Sequence, residues 1–143
     1  MVDLRVFSDC DLALLIEHGK THNLPSLKAP TGDLIYYDAS GLAQRTNLAD
    51  AQYLPLIPEV VSDPFEIWLT FEKHHVTGKV DLLQRIVKSV DVEQKTVGLV
   101  LVAIAWQAKL HALRLIATND RDDLNTFRVG RLLWARDRDL EST

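Results

Sequence analysis

The feature that most constrains this fold is the change of hydrophobic period after Asp63-Pro64. Residues 65–72 alternate apolar and polar side chains, which predicts a β-strand with one buried face. Residues 80–90 continue the alternation and predict a second strand. Residues 97–105 are apolar at both odd and even positions, which is typical of a central strand buried on both faces. Residues 110–118 predict a fourth strand. The short connections favour a meander of antiparallel hairpins.

The part of the chain before Pro64 carries helix and loop signals instead. Ser8 or Asp9 can cap a first helix that Gly19 ends. Residues 20–38 contain two prolines and a glycine, so they should be mostly loop, with 34–37 as an extended piece. Further short segments are predicted in this order: a helix capped by Asp38 or Ser40 through residue 47, a helical stretch at 48–54, and a helix from Pro58 to before Asp63. After the fourth strand we expect a helix capped within 120–123 and a last strand or apolar tail at 129–134.

These signals predict one α+β domain over residues 1–143, with short N-terminal helices packed on a C-terminal antiparallel sheet of about four strands. Residues 1–64 would be mainly helical and loop. Residues 65–134 would form the sheet, and residues 135–143 a flexible tail.

Composition limits the classes of protein to consider. Apolar residues make up 47% of the chain and charged residues 25%, which favours a globular domain over disorder. The longest apolar run, residues 97–106, is about half of a bilayer span, and acids stand where a signal peptide would carry bases. We therefore expect no membrane partner, and a protein that works in a cytoplasm, its own or that of a target cell. The single cysteine, Cys10, excludes an intrachain disulfide and a cysteine zinc cluster.

Charge is distributed unevenly along the chain. Residues 1–72 hold four basic and eleven acidic side chains, whereas residues 73–138 hold twelve basic and seven acidic ones. A basic half beside an acidic half is consistent with a face that binds an anionic partner, and equally with chance.

Basic side chains on the predicted strands are the first candidates for a site. Arg85 should share a face with Val87, while Lys88 lies on the other face. On the fourth strand Arg114 and Thr118 share a face, because their spacing is even. Cations beside a hydroxyl can clamp a phosphate, although the same pattern fits the solvated side of a sheet.

The five histidines form no strong metal-binding or catalytic spacing. His74 and His75 are adjacent and would point to opposite faces of an extended segment, and no HExxH motif occurs. His22, in a polar loop, is the best placed of the five for acid–base chemistry. We expect no cofactor and no bound metal.

Three segments, taken in their order along the sequence, resemble a phage-associated branch of the barnase–EndoU–colicin–RelE-like nucleases. They are residues 53–61 running into the Asp-Pro…Trp segment 63–68, the basic segment 84–88, and the threonine-ended segment 116–119 followed by 128–134. The resemblance spans about residues 45–134. It implies metal-independent cleavage of RNA, with tRNA as one substrate, by attack of the ribose 2′-hydroxyl on the adjacent phosphate. Carried over position by position, Arg85, Lys88, Thr118 and Arg131 would face the phosphate, with Arg45 before the first strand.

Two other hypotheses stay open. The region around Arg45 holds no histidine, and the chain is acidic overall, so the fold could serve a non-catalytic phage or prophage protein that binds RNA or a protein partner. An immunity protein and a phage head protein are the partners that the resemblance suggests. Alternatively, the chain is an unrelated α+β protein, which strands before the helices or a parallel sheet would favour.

Overall fold

The computed structural model describes residues 25–73 and 76–136. Its elements, in chain order, are β1 (Ser26–Lys28), β2 (Leu34–Tyr36), α1 (Ala39–Arg45), α2 (Leu48–Ala51), a 3-10 turn (Leu54–Leu56), α3 (Ile57–Ser62), β3 (Glu66–Lys73), β4 (Val80–Val92), β5 (Lys95–Trp106), β6 (Lys109–Thr118), α4 (Arg121–Asn125) and β7 (Arg131–Ala135). Strands hold 49% of these residues and helices 23%. The helix expected between Ser8 and Gly19 lies outside the described residues, as does Cys10. No helix in the described ranges combines the length and the apolar character needed to cross a membrane.

All seven strands belong to one curled sheet with the order β1-β2-β6-β5-β4-β3-β7. The meander predicted for the second half is confirmed, because β3, β4, β5 and β6 are consecutive antiparallel neighbours. The central position predicted for residues 97–105 is also confirmed, since β5 lies between β4 and β6. The last strand, β7, returns to pair with β3.

The predicted architecture of N-terminal helices on a four-stranded antiparallel sheet is wrong. Strands β1 and β2 precede the helices, and β2 pairs with β6 in parallel, which makes the sheet mixed and seven-stranded. These two strands have three residues each, too few for a hydrophobic period to be visible. Their pairing with distant segments, rather than their own sequence, makes them strands. Strands that precede the helices were also the expectation for the third hypothesis, an unrelated α+β protein. The topology by itself therefore does not identify this chain.

The short helices occur in the predicted order, but α1 ends at Arg45 rather than at residue 47, and α2 ends at Ala51 rather than at residue 54. The Asp38 side chain accepts a hydrogen bond from the Ser40 backbone at the start of α1, and Asp120 accepts one from Asp122 at the start of α4. Helix α3 ends at Ser62, before Pro64. Such short helices gain little stability from their own hydrogen bonds, so packing on the sheet must hold them.

The sheet buries apolar side chains on both of its sides. We call the side that packs against α1 and α3 the first face; its cluster includes Leu42, Val60, Ile86 and Leu101. The opposite side is the second face. It holds a separate cluster that packs against α4 and contains Leu83, Val87, Val100, Val102, Ile104 and Leu113. The single buried face predicted for residues 65–72 is therefore incomplete: Glu66, on the second face, is only 4% exposed.

Two glycines permit close contacts that a side chain would prevent. A Cβ at Gly98 would lie 2.9 Å from the Leu124 side chain, so the glycine lets α4 sit on the second face. Gly130 has a φ of +95°, and a Cβ there would run into the Leu69 backbone carbonyl. Strand β7 can reach β3 because that position carries no side chain.

Both hairpins that flank β5 have two-residue turns. Glu93-Gln94 and Gln107-Ala108 all have positive φ, the geometry that suits the twist of tight hairpins. The turns join the directly paired residues Val92 and Lys95 at one end and Trp106 and Lys109 at the other.

The outer edge of β6 is completed by side chains of the helical segment rather than by a strand. Strand β2 pairs with β6 only at Leu110 and His111. Beyond that point Arg45 donates hydrogen bonds to the carbonyls of Leu113 (2.7 Å) and Ala112 (3.1 Å), and the Thr46 hydroxyl accepts one from the Leu115 amide. These contacts satisfy backbone groups at the irregularity in the β5–β6 register.

Arg45→Ala should lower the free energy of unfolding by about 2–4 kcal/mol, because two carbonyls at the edge of β6 lose a charged donor. Urea unfolding followed by circular dichroism measures the change. Lys28→Ala, which removes an exposed cation from β1, is the control and should stay within about 0.5 kcal/mol. An Arg45→Ala protein as stable as the control would contradict this role.

Candidate active site on the second face

Arg85 lies at the centre of the second face and joins two polar residues of β3. Its guanidinium donates to the Thr70 hydroxyl at 2.7 Å and to the Glu72 carboxylate at 2.9 Å. The Cα partner of Arg85 on β3 is Trp68, so its side chain runs along β3 to reach residues two and four positions away. The Arg85 side chain is 12% exposed and that of Glu72 is 32% exposed, which leaves the pair open to a ligand from the Glu72 side.

A second guanidinium lies in the same row of the sheet. Arg85 pairs with Val102 of β5, and Val102 pairs with Arg114 of β6. Directly paired residues project from the same face, so the two arginines flank β5 on the second face. Two strand spacings put their Cα atoms roughly 9–10 Å apart. Arginines so spaced can hold different oxygens or neighbouring phosphates of one anionic chain.

An ion pair between the buried Glu66 and the partly exposed Arg128 fixes the wall of the site beside Arg85. Arg128 donates to both carboxylate oxygens of Glu66, at 2.6 and 2.7 Å, and the Trp68 indole nitrogen donates to one of them at 3.0 Å. The hydrogen bond to Glu66 raises the pKa of Arg128. The arrangement holds the indole next to Arg85 and ties the segment between α4 and β7 to β3. Neither Glu66 nor Arg128 was among the residues predicted for the site.

His111 occupies the adjacent row of the second face and is buried, at 4% exposed. Its ring lies between Tyr36 and Trp106, with centroid distances of 6.0 and 5.6 Å. The pKa of His111 is lowered, mainly by burial and further by Lys109 and Arg45, while a hydrogen bond with the Trp106 backbone opposes the shift. Burial therefore favours the neutral imidazole, and its Nε2 atom is buried without a hydrogen-bond partner.

Lys88, predicted to face the phosphate, lies on the first face with its ammonium group engaged. It donates to the Asp63 carbonyl at 2.6 Å and to the Asp63 carboxylate at 3.2 Å, and it lies 5.3 Å from the centre of the Phe65 ring. The hydrogen bond from Lys88 holds the pKa of Asp63 below its usual value, with Arg136 adding to the effect. This geometry anchors the start of β3 and separates Lys88 from Arg85.

The other predicted site residues are spread around the sheet. Arg131 is exposed and lies on the edge strand β7. Its Cα partner is Leu69, so its side chain projects from the first face. Arg45 holds the β6 backbone. Thr118 does share the second face with Arg85, in a row that runs through Gly98 to Ser89, farther down the strands. His22 lies outside the described residues, as do His18, His74 and His75.

Thr118 and Asn119 separate two polar pockets at the end of β6. One pocket, of about 290 Å³, is lined by Asp50, Gln52 and Tyr53 from the helical segment and by Lys95 at the start of β5, among others. The second, of about 180 Å³, opens beside Ser89, Thr96 and Arg121. The Thr118 hydroxyl accepts a hydrogen bond from the Asp120 amide at 3.1 Å. This region offers hydroxyl, amide and cationic groups at a distance from the Arg85 row.

The structure thus brings together a different set of residues from the one predicted. Of that set, Arg85 and Thr118 lie on the second face; Arg85 is joined there by Thr70, Glu72 and Arg114. The even spacing of Thr70 and Glu72 from Trp68 was a usable signal, because it puts all three on one face. Within residues 25–73 and 76–136, no group of three or more histidine, cysteine, aspartate or glutamate side chains is arranged to hold a metal ion.

Cationic side chains beside a carboxylate and a hydroxyl are groups that can contact a phosphate. The profile of the family phage-Barnase-EndoU-ColicinE5/D-RelE like nuclease 2 matches residues 15–135. The chain belongs to this phage-associated nuclease-like family, and the resemblance found in the sequence is confirmed. Neither the curated proteins nor the solved structures contain a significant match to the chain.

The buried His111 should make the stability of the protein depend on pH. Its folded pKa lies below its unfolded value of about 6.5, so stability is fully present above that value and falls as the pH drops toward the folded pKa. His111→Phe keeps a ring between Tyr36 and Trp106 and removes this titration. Urea unfolding is measured at pH values from about 5 to about 8. The free energy of unfolding should change less with pH in the variant than in the wild type. Parallel profiles would show that His111 does not titrate in this way.

Proposed function

We propose that the chain cleaves RNA without a metal ion, at the Arg85–Glu72 pair on the second face. Family membership makes a nucleic acid the expected substrate, and the carrying observation is the guanidinium of Arg85 held between the Thr70 hydroxyl and the Glu72 carboxylate. Arg114, across β5, supplies a second cation in the same row. Thr118, on the same face, would contact the RNA at a nucleotide farther along its strand.

The reaction begins when Glu72 accepts the proton of a ribose 2′-hydroxyl. The 2′-oxygen then forms a bond to the adjacent phosphorus, the bond to the 5′-oxygen breaks, and that oxygen takes a proton from water. The hydroxide left behind takes the proton from Glu72, which restores the carboxylate and the water molecule. The products are a 2′,3′-cyclic phosphate and a 5′-hydroxyl. Arg85 and Arg114 stabilise the negative charge that grows on the phosphoryl oxygens, where an oriented donor is worth more than in bulk water. Thr70 keeps the guanidinium in position between attack and release.

Arg85→Ala should lower the rate of RNA cleavage at least about tenfold, because the developing charge on the phosphate loses an oriented donor. Cleavage of a labelled oligoribonucleotide in EDTA, with the cyclic phosphate detected by mass spectrometry, measures the effect. The matched control is Lys28→Ala, which removes a cation at the opposite edge of the sheet and should leave the rate unchanged. Unfolding curves must show that both variants are folded.

Arg131→Ala then separates this site from the arrangement expected from sequence. If the β7 cation faces the phosphate, its loss lowers the rate as much as the loss of Arg85. If the Arg85–Glu72 pair is the site, Arg131→Ala has a small effect that depends on salt, as for a distant surface charge.

Glu72→Gln should lower kcat by about two orders of magnitude, because glutamine can still accept the hydrogen bond from Arg85 but cannot take the proton. A folded Glu72→Gln protein that cleaves RNA at the wild-type rate would reduce the pair to a structural ion pair.

The non-catalytic alternative has its own outcome in these assays. RNA that stays intact at several pH values, together with retained binding of RNA or of a phage protein, would identify the chain as a binding module on the same scaffold. An inhibitor or immunity protein would be expected to cover Glu72.

A further inference from the structure

We propose that Trp106, Tyr36 and Lys109 form a base-stacking subsite that selects single-stranded RNA. The inference rests on the proposed function and names its substrate class. Trp106 and Lys109 lie at the β5–β6 hairpin end of the second face, beyond the row that holds His111, and Tyr36 lies in that row. None of them takes part in the reaction proposed at Arg85 and Glu72.

The subsite is built around a buried imidazole. Trp106 and Lys109 are directly paired across the hairpin, and Tyr36 of β2 is the Cα partner of His111. The His111 ring stands edge-on to Trp106 and tilted against Tyr36, so it sets the spacing of the two aromatic rings. Trp106 and Tyr36 are half-buried, whereas Lys109 is exposed. The rings thus have fixed positions and still reach the surface.

Lys109 adds a cation to this aromatic surface. Its ammonium group lies 5.2 Å from the centre of the Tyr36 ring. Aromatic rings that stack bases, interleaved with cations that contact phosphates, are the usual means of binding single-stranded nucleic acid. In a duplex the bases are already stacked on each other, so such rings bind unpaired bases best.

The position of the subsite relative to Arg85 fits one bound strand. Trp106 is four residues from Val102 along β5, which is roughly 13 Å. Val102 lies in the row between Arg85 and Arg114. A base on Trp106 would therefore belong to a nucleotide beyond the one that is cleaved, and its backbone would pass Lys109 on the way to the arginines. Longer substrates should gain from this contact, and dinucleotides should not.

The test measures binding separately from cleavage. Fluorescence anisotropy is recorded with labelled 2′-O-methyl oligonucleotides, which lack the attacking hydroxyl, at several salt concentrations. Trp106→Leu should weaken binding of the single strand roughly tenfold, the usual value for one stacked base. Trp106→Tyr should restore most of the affinity. Lys109→Gln, a surface change that folding tolerates, should reduce the salt slope by about one.

The matched control is Phe71→Leu. Phe71 is an aromatic residue with 66% exposure on the first face, so its loss should leave binding unchanged. The same sequence presented as a duplex should bind at least about tenfold more weakly than the single strand. Equal affinity of Trp106→Leu and wild type, or equal binding of duplex and single strand, overturns the inference.

The two proposals fail in different ways. If the wild type leaves RNA intact but binds the 2′-O-methyl strand through Trp106, the subsite stands and the cleavage reaction falls. If the wild type cleaves RNA, and Trp106→Leu neither binds the analogue more weakly nor cleaves long oligonucleotides more slowly, the reaction stands and the subsite falls. If Trp106→Leu cleaves long oligonucleotides more slowly than the wild type does, and cleaves dinucleotides at the wild-type rate, both proposals are supported.

Discussion

The burial of β5 on both sides is the constraint on which the rest of the structure depends. Eight consecutive residues, 97–104, are buried, so apolar side chains project alternately into the two clusters. Such a strand is stable only when neighbours lie on both edges and other elements cover both faces. Strands β4 and β6 supply the edges, α1 and α3 cover the first face, and α4 covers one end of the second. The polar side chains of the second face are arranged around this apolar centre.

Much of the fold followed from local sequence because the strands of the meander are long and periodic. The limits of β3 to β6, and the caps Asp38 and Asp120, were predictable from alternation and side-chain chemistry. What could not be predicted depends on contacts between distant segments. Strands β1 and β2 are defined by pairing, the parallel β2–β6 contact covers two residues, and β7 joins the far edge of the sheet next to β3. A period in the sequence carries no information about which strand lies beside it.

The candidate site was predictable to the extent that it depends on whether two residues of one strand are an even or an odd number of positions apart. The odd spacing of Arg85 and Lys88 was enough to separate them, and the structure puts them on opposite faces. Arg131 was different, because the β3–β7 register shifts between Ile67 and Trp68 and this shift decides its face. Arg45 was also beyond local prediction, since its role arises where β2 stops and leaves the β6 carbonyls uncovered. The family resemblance predicted a site for a phosphate, which stays a prediction, whereas the register decided which side chains meet.

The two hairpin turns at the ends of β5 have a consequence for how such a protein can diverge. All four turn residues adopt a backbone conformation that only a few amino acids accept readily, and none of them is glycine. Inserting or deleting one residue in either turn would invert every side chain beyond it and expose one apolar cluster to water. Length changes should therefore accumulate elsewhere, between β3 and β4 or after β6. Relatives could exchange the side chains that contact a substrate one position at a time, while the pairing register of the strands that carry them stays the same.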